Sequence, residues 1–315
     1  MIPGVRVGHA TDPVGLTGCT VILSERPAVG GVEIRGWACG VHGLEFLDPR
    51  HLVPTVDGVL LAGGSAYGLE AIWGAMQYLE EHGVGFPVPR TVVPHVAGAI
   101  VFDLGVGDHR ARPDRAMGYA ACAAARPGPV AEGNVGAGTG ATVGKLYGLE
   151  RAMRGGLGCA TVERGSLAVG AVMVVNAVGD VRDPETGRLV AGTRDAPGGR
   201  RLIDTAAALA AGAPPPAFRP VSTTIGVVVA TAALTKVEAR RVAELSMAGF
   251  GWALSPPHLQ TDGDTLFCLS LGEVRTDVAS VGKAGAEAVA RAIVRAVRAA
   301  TSLPGLPAAA DLADE

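Results

Sequence analysis

At 315 residues, 48% of them hydrophobic and 18% charged, the chain can bury a sizeable core and falls in the size range of a single α/β domain. A formal net charge of −3 with no sustained basic run excludes the usual electrostatic footprint of a nucleic-acid binder. Five scattered cysteines without a C-x-x-C pair point to free thiols in a reducing compartment. The opening MIPGVRVGHATD has no secretory pattern and no apolar run reaches membrane-spanning length, so a cytoplasmic protein with no membrane partner is expected.

In chain order, GCTVILSE and GVEIRGWACGV read as two strands joined by a Pro/Gly turn, RPAVGG, the pattern of a hairpin. VDGVLLAGGSA reads as a buried strand running into a glycine turn. LEAIWGAMQYLEEH carries Leu69, Ile72, Trp73, Met76 and Leu79 at helical spacing and stops at Gly83. VPHVAGAIVFDLG gives another strand and RAMGYAACAAA a short helix, followed by the glycine-rich EGNVGAGTGATVGKLYG. LGCATVERG and SLAVGAVMVVNAVGD make two further strands. From about Arg182 to Pro220 come turns, one helix in LIDTAAALAA and a proline-rich connector, AGAPPPAFRP. Then follow the strand TIGVVVATAA, the helix KVEARRVAELSMAGFGWAL, the strand DTLFCLSLG and a last helix, VGKAGAEAVARAIVRAVRAA, with its arginines on a solvated face. Residues 303–315 are expected to be a frayed tail. Strands grouped with helices laid over them predict a layered α/β sandwich.

The connector ends abruptly on Ser222-Thr223-Thr224, which opens a buried-looking strand. A strand that merely starts with β-branched residues is the plain alternative. The chemical reading is self-cleavage of the Ser222–Thr223 bond, dividing the chain into 1–222 and 223–315. A threonine hydroxyl is a poor nucleophile until a base takes its proton. An α-amine titrates at about 7.7–8.0, far nearer neutrality than a lysine amine at about 10.4. Freed as an N-terminal residue, Thr223 would carry nucleophile and base on one Cα. Asp262-Gly263-Asp264 follows, a frequent turn composition, but also two carboxylates at i and i+2 that share a face.

Other motifs carry less. GAGTGA (136–141) fits a dinucleotide pattern, yet no buried strand precedes it and no acidic residue ends a strand about 20 residues on. Its glycines suit a close backbone approach to the active centre instead. Ser65 in S-A-Y-G fails the nucleophile-elbow pattern at its last position. The seven histidines show neither H-x-x-H nor H-E-x-x-H spacing. No metal or cofactor is therefore expected.

Taken together and in order, PGVRVGHATD with TGCTVIL, AGGSAYGLEA, IVFDLGVGD, GNVGAGTGATVGK, VNAVGD, STTIGVVV and TDGDTLF resemble the D-aminopeptidase, β-aminopeptidase and nylon-oligomer hydrolase family along nearly the whole chain. The threonine and paired aspartates are most similar to its nylon-oligomer hydrolase branch. The resemblance implies an αββα sandwich, self-cleavage, hydrolysis of a small amide or peptide, and a homo-oligomer, tetramer or larger. It places Thr223 as nucleophile and Asp262 and Asp264 as the pair accepting hydrogen bonds from its hydroxyl and amine. Lys145 becomes a cation that keeps the α-amine unprotonated. Asn176 becomes the oxyanion donor, a role worth about 2.7–4 kcal/mol. Three departures stand out. Ser222 occupies a place usually held by Asn or Gly, so cleavage is expected to be slower or incomplete, with serine offering only a short local hydrogen bond. Phe102 falls where some members have an oxyanion-holding tyrosine, and Thr231 falls near a missing Asp or Asn. Tyr67 and Glu70 are the remaining substrate-side candidates, with Glu70, Glu132 and Asp103 as possible acids for a substrate ammonium. Acyl transfer of the ornithine acetyltransferase type, and an uncleaved binding protein, are the alternatives.

Overall fold

The computed structural model describes residues 4–214 and 222–312; the end of the proline-rich connector, 215–221, and residues 313–315 lie outside the described residues. The principal elements are β1 (Val5–Asp12), β2 (Thr17–Ile34), β3 (Val41–His42), β4 (Val56–Ala62), α1 (Ala71–Glu81), β5 (Val96–Ile100) and α2 (Arg115–Ala124). They continue with β6 (Gly156–Arg164), β7 (Leu167–Val175), α3 (Thr205–Ala210), β8 (Ile225–Ala232), α4 (Lys236–Ser246), α5 (Ala248–Ala253), β9 (Thr265–Val274) and α6 (Val278–Arg298).

The strands hydrogen-bond in the order β6-β7-β8-β9-β2-β4-β5-β3, with β1 also on β2. The pairs β8–β9 and β4–β5 are parallel and the others antiparallel. The hairpin expected across RPAVGG is not formed. β2 runs straight through it as an 18-residue strand, pairing by its first half with β1 and β4 and by its second half with β9. The register against β4 jumps between Leu23 and Ala28, so the strand bends there and passes from one sheet to the other. A reversal would need left-handed backbone, and no residue between Leu16 and Gly36 has it.

The two sheets joined by β2 face one another. Ile22, Val59, Leu61 and Ala99 of one meet Val172, Val174, Val227, Phe267 and Leu269 of the other. The alternate residues point outward, as the period of a strand demands. Val21 and Leu60 pack against Ile72 and Leu79 of α1 and Cys122 of α2. Met173, Val228 and Leu266 pack against Val242, Phe250, Val289 and Ile293 of α4, α5 and α6. The result is the expected αββα sandwich, a mixed α/β fold. Capping contributes locally: Thr235 and Glu238 form a reciprocal capping box on α4, and Asp277 accepts from the Ser280 N–H at the start of α6.

Small residues set the layer spacing. A Cβ on Gly158 would lie 2.2 Å from the Ala292 carbonyl oxygen, so α6 sits almost on the backbone of β6. The two strands from beyond residue 222, β8 and β9, lie between β7 and β2, which precede it.

Residues 303–312, read from the sequence as part of a frayed tail, are instead held down. The Arg154 N–H donates to the Pro307 carbonyl (2.9 Å), Arg154 Nε to Thr301 O (3.2 Å) and Arg194 Nη2 to Gly305 O (3.0 Å). Ala308 and Ala309 are buried. A buried guanidinium needs acceptors, and the Gly305 carbonyl supplies one to Arg194, as Thr301 O just before the segment does to Arg154.

Gly158→Val should lower stability by about 1–3 kcal/mol, because the new atoms meet backbone that cannot step aside. Gly251→Ala in α5, where a Cβ meets nothing within 4 Å, should be neutral or stabilising by about 0.5–1 kcal/mol. Urea unfolding of the two variants beside the parent checks both.

Candidate active site

The sequence pattern that starts β8 also wedges its leading residues between the ends of two neighbours. The Thr223 N–H donates to the Asn176 carbonyl just past β7 (2.9 Å), and the Thr265 N–H of β9 donates to Thr224 O (3.1 Å). Ser222 forms a parallel bridge with Asp262. Thr223 shares the side of Ile225 and Val227, which face the inter-sheet space. It is buried, and its Oγ1 donates to the carbonyl oxygen of Ser222 at 2.5 Å. The Ser222 hydroxyl, expected to provide a short local hydrogen bond, finds no partner among the described residues; nor does that of Thr224.

Asp262-Gly263-Asp264 packs against the chain leaving β2. The Asp264 and Asp262 carbonyls accept from Arg35 N (2.7 Å) and Ala38 N (3.1 Å). A Cβ on Gly263 would lie 2.4 Å from the Ala38 carbonyl, which is why the residue between the aspartates is glycine. Both carboxylates bond to the turn at His258 and Leu259. Asp262 Oδ2 accepts from Leu259 N (2.9 Å), and Asp264 Oδ2 from His258 Nδ1 (2.8 Å). Their bonding differs from expectation, however. Asp264 Oδ1 accepts from the Thr224 N–H (2.7 Å), one residue beyond Thr223, while the Thr223 hydroxyl turns to Ser222. Burial, then the neighbouring Asp264, pushes the Asp262 carboxyl well above the usual range. Its Oδ1 is buried without a hydrogen-bond partner among the described residues.

Lys145 reaches the cluster on a buried loop, and the glycines before it make that route possible. Gly144 has φ +72°, and a Cβ on it would lie 1.9 Å from the Gly192 carbonyl carbon. The Lys145 N–H then donates to Val178 O (2.8 Å), and Nζ donates to both the side-chain Oδ1 (2.9 Å) and the backbone carbonyl (3.0 Å) of Asn176. Burial lowers the lysine to about 7, against the opposing pull of Asp262 and Asp103. Asn176 Oδ1 also accepts from Thr142 N (3.0 Å), and its Nδ2 donates to Phe102 O (3.0 Å). Phe102 thus enters through its backbone.

The other candidates make their hydrogen bonds outside the cluster. Asp103 accepts from Gly64 N and Thr17 Oγ1 (2.7 Å each) at the GGS turn, close enough to act on the Lys145 charge, and burial raises its carboxyl. Glu132 binds Cys159 N and Arg295 between β6 and α6. Thr231 bonds to the Ala168 backbone. Glu70 is exposed, and Tyr67 is 59% exposed under the Arg112 guanidinium (3.7 Å); neither hydrogen-bonds to the cluster among the described residues. The structure brings together Ser222, Thr223, Asn176, Lys145, Asp262 and Asp264. It adds Thr142 and His258, which no motif singled out; only H-x₅-D, an uninformative spacing, marked the histidine.

With this geometry in view, the comparisons with known proteins are specific. The model for Peptidase family S58 matches residues 2–309. An uncharacterized aminopeptidase of Mycobacterium tuberculosis is 39% identical over 99% of this chain and 96% of its own length. A 6-aminohexanoate-oligomer endohydrolase of Kocuria sp. is 34% identical over 86% of this chain and 74% of its own. Among solved structures, a Burkholderia sp. beta-aminopeptidase superposes with a TM-score of 0.71 at 22% identity, covering 99% of this chain and 91% of that one. The L-aminopeptidase D-Ala-esterase/amidase of Ochrobactrum anthropi, described as a variant of the Ntn hydrolase fold, gives 0.71 at 19%, covering 95% and 85%. The chain belongs to peptidase family S58 and is a hydrolytic enzyme of the amidohydrolase and aminopeptidase type.

Proposed function

We propose that the chain cleaves itself between Ser222 and Thr223 and then uses Thr223 as an N-terminal nucleophile to hydrolyse small amides or peptides. The observation that carries this reading is the Thr223 hydroxyl lying 2.5 Å from the Ser222 carbonyl oxygen, beside the carbon it would attack. In the first step Oγ1 adds to the Ser222 carbonyl carbon and the bond to the Thr223 nitrogen breaks. The hydroxyl proton passes to that nitrogen, and water hydrolyses the resulting ester to a Ser222 carboxylate. The α-amine does not exist until this step ends. Lys145, lowered to about 7, and Asp262, raised by burial, are groups in the cluster suited to moving a proton at neutral pH.

Turnover repeats the chemistry on a substrate. Thr223 Oγ1 attacks the amide carbon, the α-amine takes the hydroxyl proton and gives it to the leaving amine, and water releases the acyl group. Asn176 Nδ2 is the side-chain donor assigned to the oxyanion. The similarity to an uncharacterized aminopeptidase and to a 6-aminohexanoate-oligomer endohydrolase suggests short aminoacyl amides and ω-amino-acid oligomers as the first substrates to try. We place the enzyme in the cytoplasm as a homo-oligomer; exposed Leu52, Trp73 and Phe86 around His42, His51 and His95 support self-association.

Denaturing mass spectrometry of active protein should find fragments 1–222 and 223–315. A single full-length species in an active sample overturns the mechanism. Thr223→Ala should abolish both cleavage and turnover, and the parent should release amine with no added acyl acceptor, which separates hydrolysis from transfer. Light scattering at micromolar concentration should show more than one copy per particle.

The pH profile follows from Lys145. Its Nζ and the Thr223 nitrogen share the Asn176 carbonyl, so a proton on one disfavours a proton on the other. The working base must be unprotonated, so kcat/KM rises with pH through the α-amine pKa. A lowered pKa moves that limb below the ordinary value of about 7.7–8.0. Lys145→Met should shift the limb upward in the cleaved enzyme; a pH–rate profile that stays put contradicts the coupling.

A further inference from the structure

The turn before the paired aspartates contains a side chain that the proposed chemistry leaves unused. His258 Nδ1 lies 2.8 Å from Asp264 Oδ2, and its own N–H lies 3.2 Å from the same oxygen. The other oxygen of that carboxylate holds the Thr224 N–H at 2.7 Å. An ionised carboxylate only accepts, so against it Nδ1 is the nitrogen that carries the proton. The ring leans on the buried Phe250 of α5, centroids 5.3 Å apart, and its side chain is 24% exposed where that of Asp264 is 2%. His258 has φ +57°, backbone that a non-glycine residue seldom adopts and that clusters at functional sites.

We propose that His258 is a positioning residue for Thr223, acting through Asp264; the proposal rests on the N-terminal-nucleophile reading above. Donors on opposite oxygens stop the Asp264 carboxylate from rotating. The Thr224 N–H it grips belongs to the peptide unit carrying the Thr223 carbonyl, so holding it fixes the backbone from which Oγ1 projects. His258 thus links the partly exposed surface to the start of β8 through Asp264.

Two substitutions in the full chain separate this role from support of the turn. Gly and Asn both tolerate the positive φ. His258→Gly deletes the ring donor, while His258→Asn places an amide N–H close to the position of Nδ1. The readouts are the cleaved fraction against time by mass spectrometry, kcat and KM on a short amide, and the unfolding midpoint. In His258→Gly, self-cleavage and kcat should each fall about tenfold or more with KM little changed, as expected for a lost hydrogen bond to a charged group. His258→Asn should recover most of both rates. Parental rates in folded His258→Gly, or a folded His258→Asn that stays as slow as a defective enzyme, overturn the proposal. Should His258→Gly fail to fold, the Asn variant decides alone. Thr223→Ala, measured alongside, tells the two failures apart. If it still cleaves and turns over, the nucleophile reading falls and this proposal with it. If it is inert while His258→Gly runs at the parental rate, only the role of His258 falls.

Discussion

One carbonyl oxygen organises the site. The backbone oxygen of Asn176 accepts the Thr223 N–H and the Lys145 ammonium together, and the side chain of the same residue ties in Thr142 and the Phe102 carbonyl. It therefore joins the end of β7, the buried glycine loop, the segment after β5 and the start of β8. A buried polar group without partners is costly, so each of these bonds constrains where the others can lie. Moving Asn176 would take two acceptors from the buried lysine, and acceptors are what make its burial tolerable.

That burial is also what makes the chemistry plausible. In water a lysine is too strongly protonated and an aspartate too weakly to exchange a proton near neutral pH. Here desolvation moves the two toward each other, with Lys145 pulled down and Asp262 pushed up. The fold provides the desolvation by closing two sheets over the junction. β8 and β9 are inserted between strands from the earlier part of the chain, so a break at Ser222–Thr223 would leave both ladders intact. Lys236, from the later part, donates to the carbonyls of Phe46, Asp48 and Val53, and the segment 301–309 is gripped by Arg154 and Arg194. These bonds cross the proposed cut and need no covalent link to persist.

Much of this was legible in the residues themselves. Helical apolar spacing and short apolar runs located nearly every element, because the helices bury one face and the central strands both. The abrupt passage from a proline-rich connector to Ser222-Thr223, with Asp262 and Asp264 downstream, marked the proposed nucleophile and its acidic pair through local chemistry and family likeness. Lys145 and Asn176 were identified by likeness alone, since a lysine after glycines and an asparagine after a strand are each ordinary on their own. RPAVGG was misread because turn-forming composition describes what the chain can do. Whether β2 reverses or continues depended on two sheets competing to pair with it.

What the sequence determined by itself was therefore the inventory: layered α/β elements, paired threonine hydroxyls at the head of a strand, and two carboxylates at i and i+2. Tertiary structure alone decided which atoms meet. It turned Asp264 to the Thr224 N–H, brought His258 to the far oxygen of the same carboxylate, withdrew Asp103 and Glu132 into structural bonds, and held down residues expected to fray. The physical reason is that hydrogen bonding is directional and short-ranged. Partners from positions far apart in the chain are chosen by packing, and local pattern holds no record of that choice.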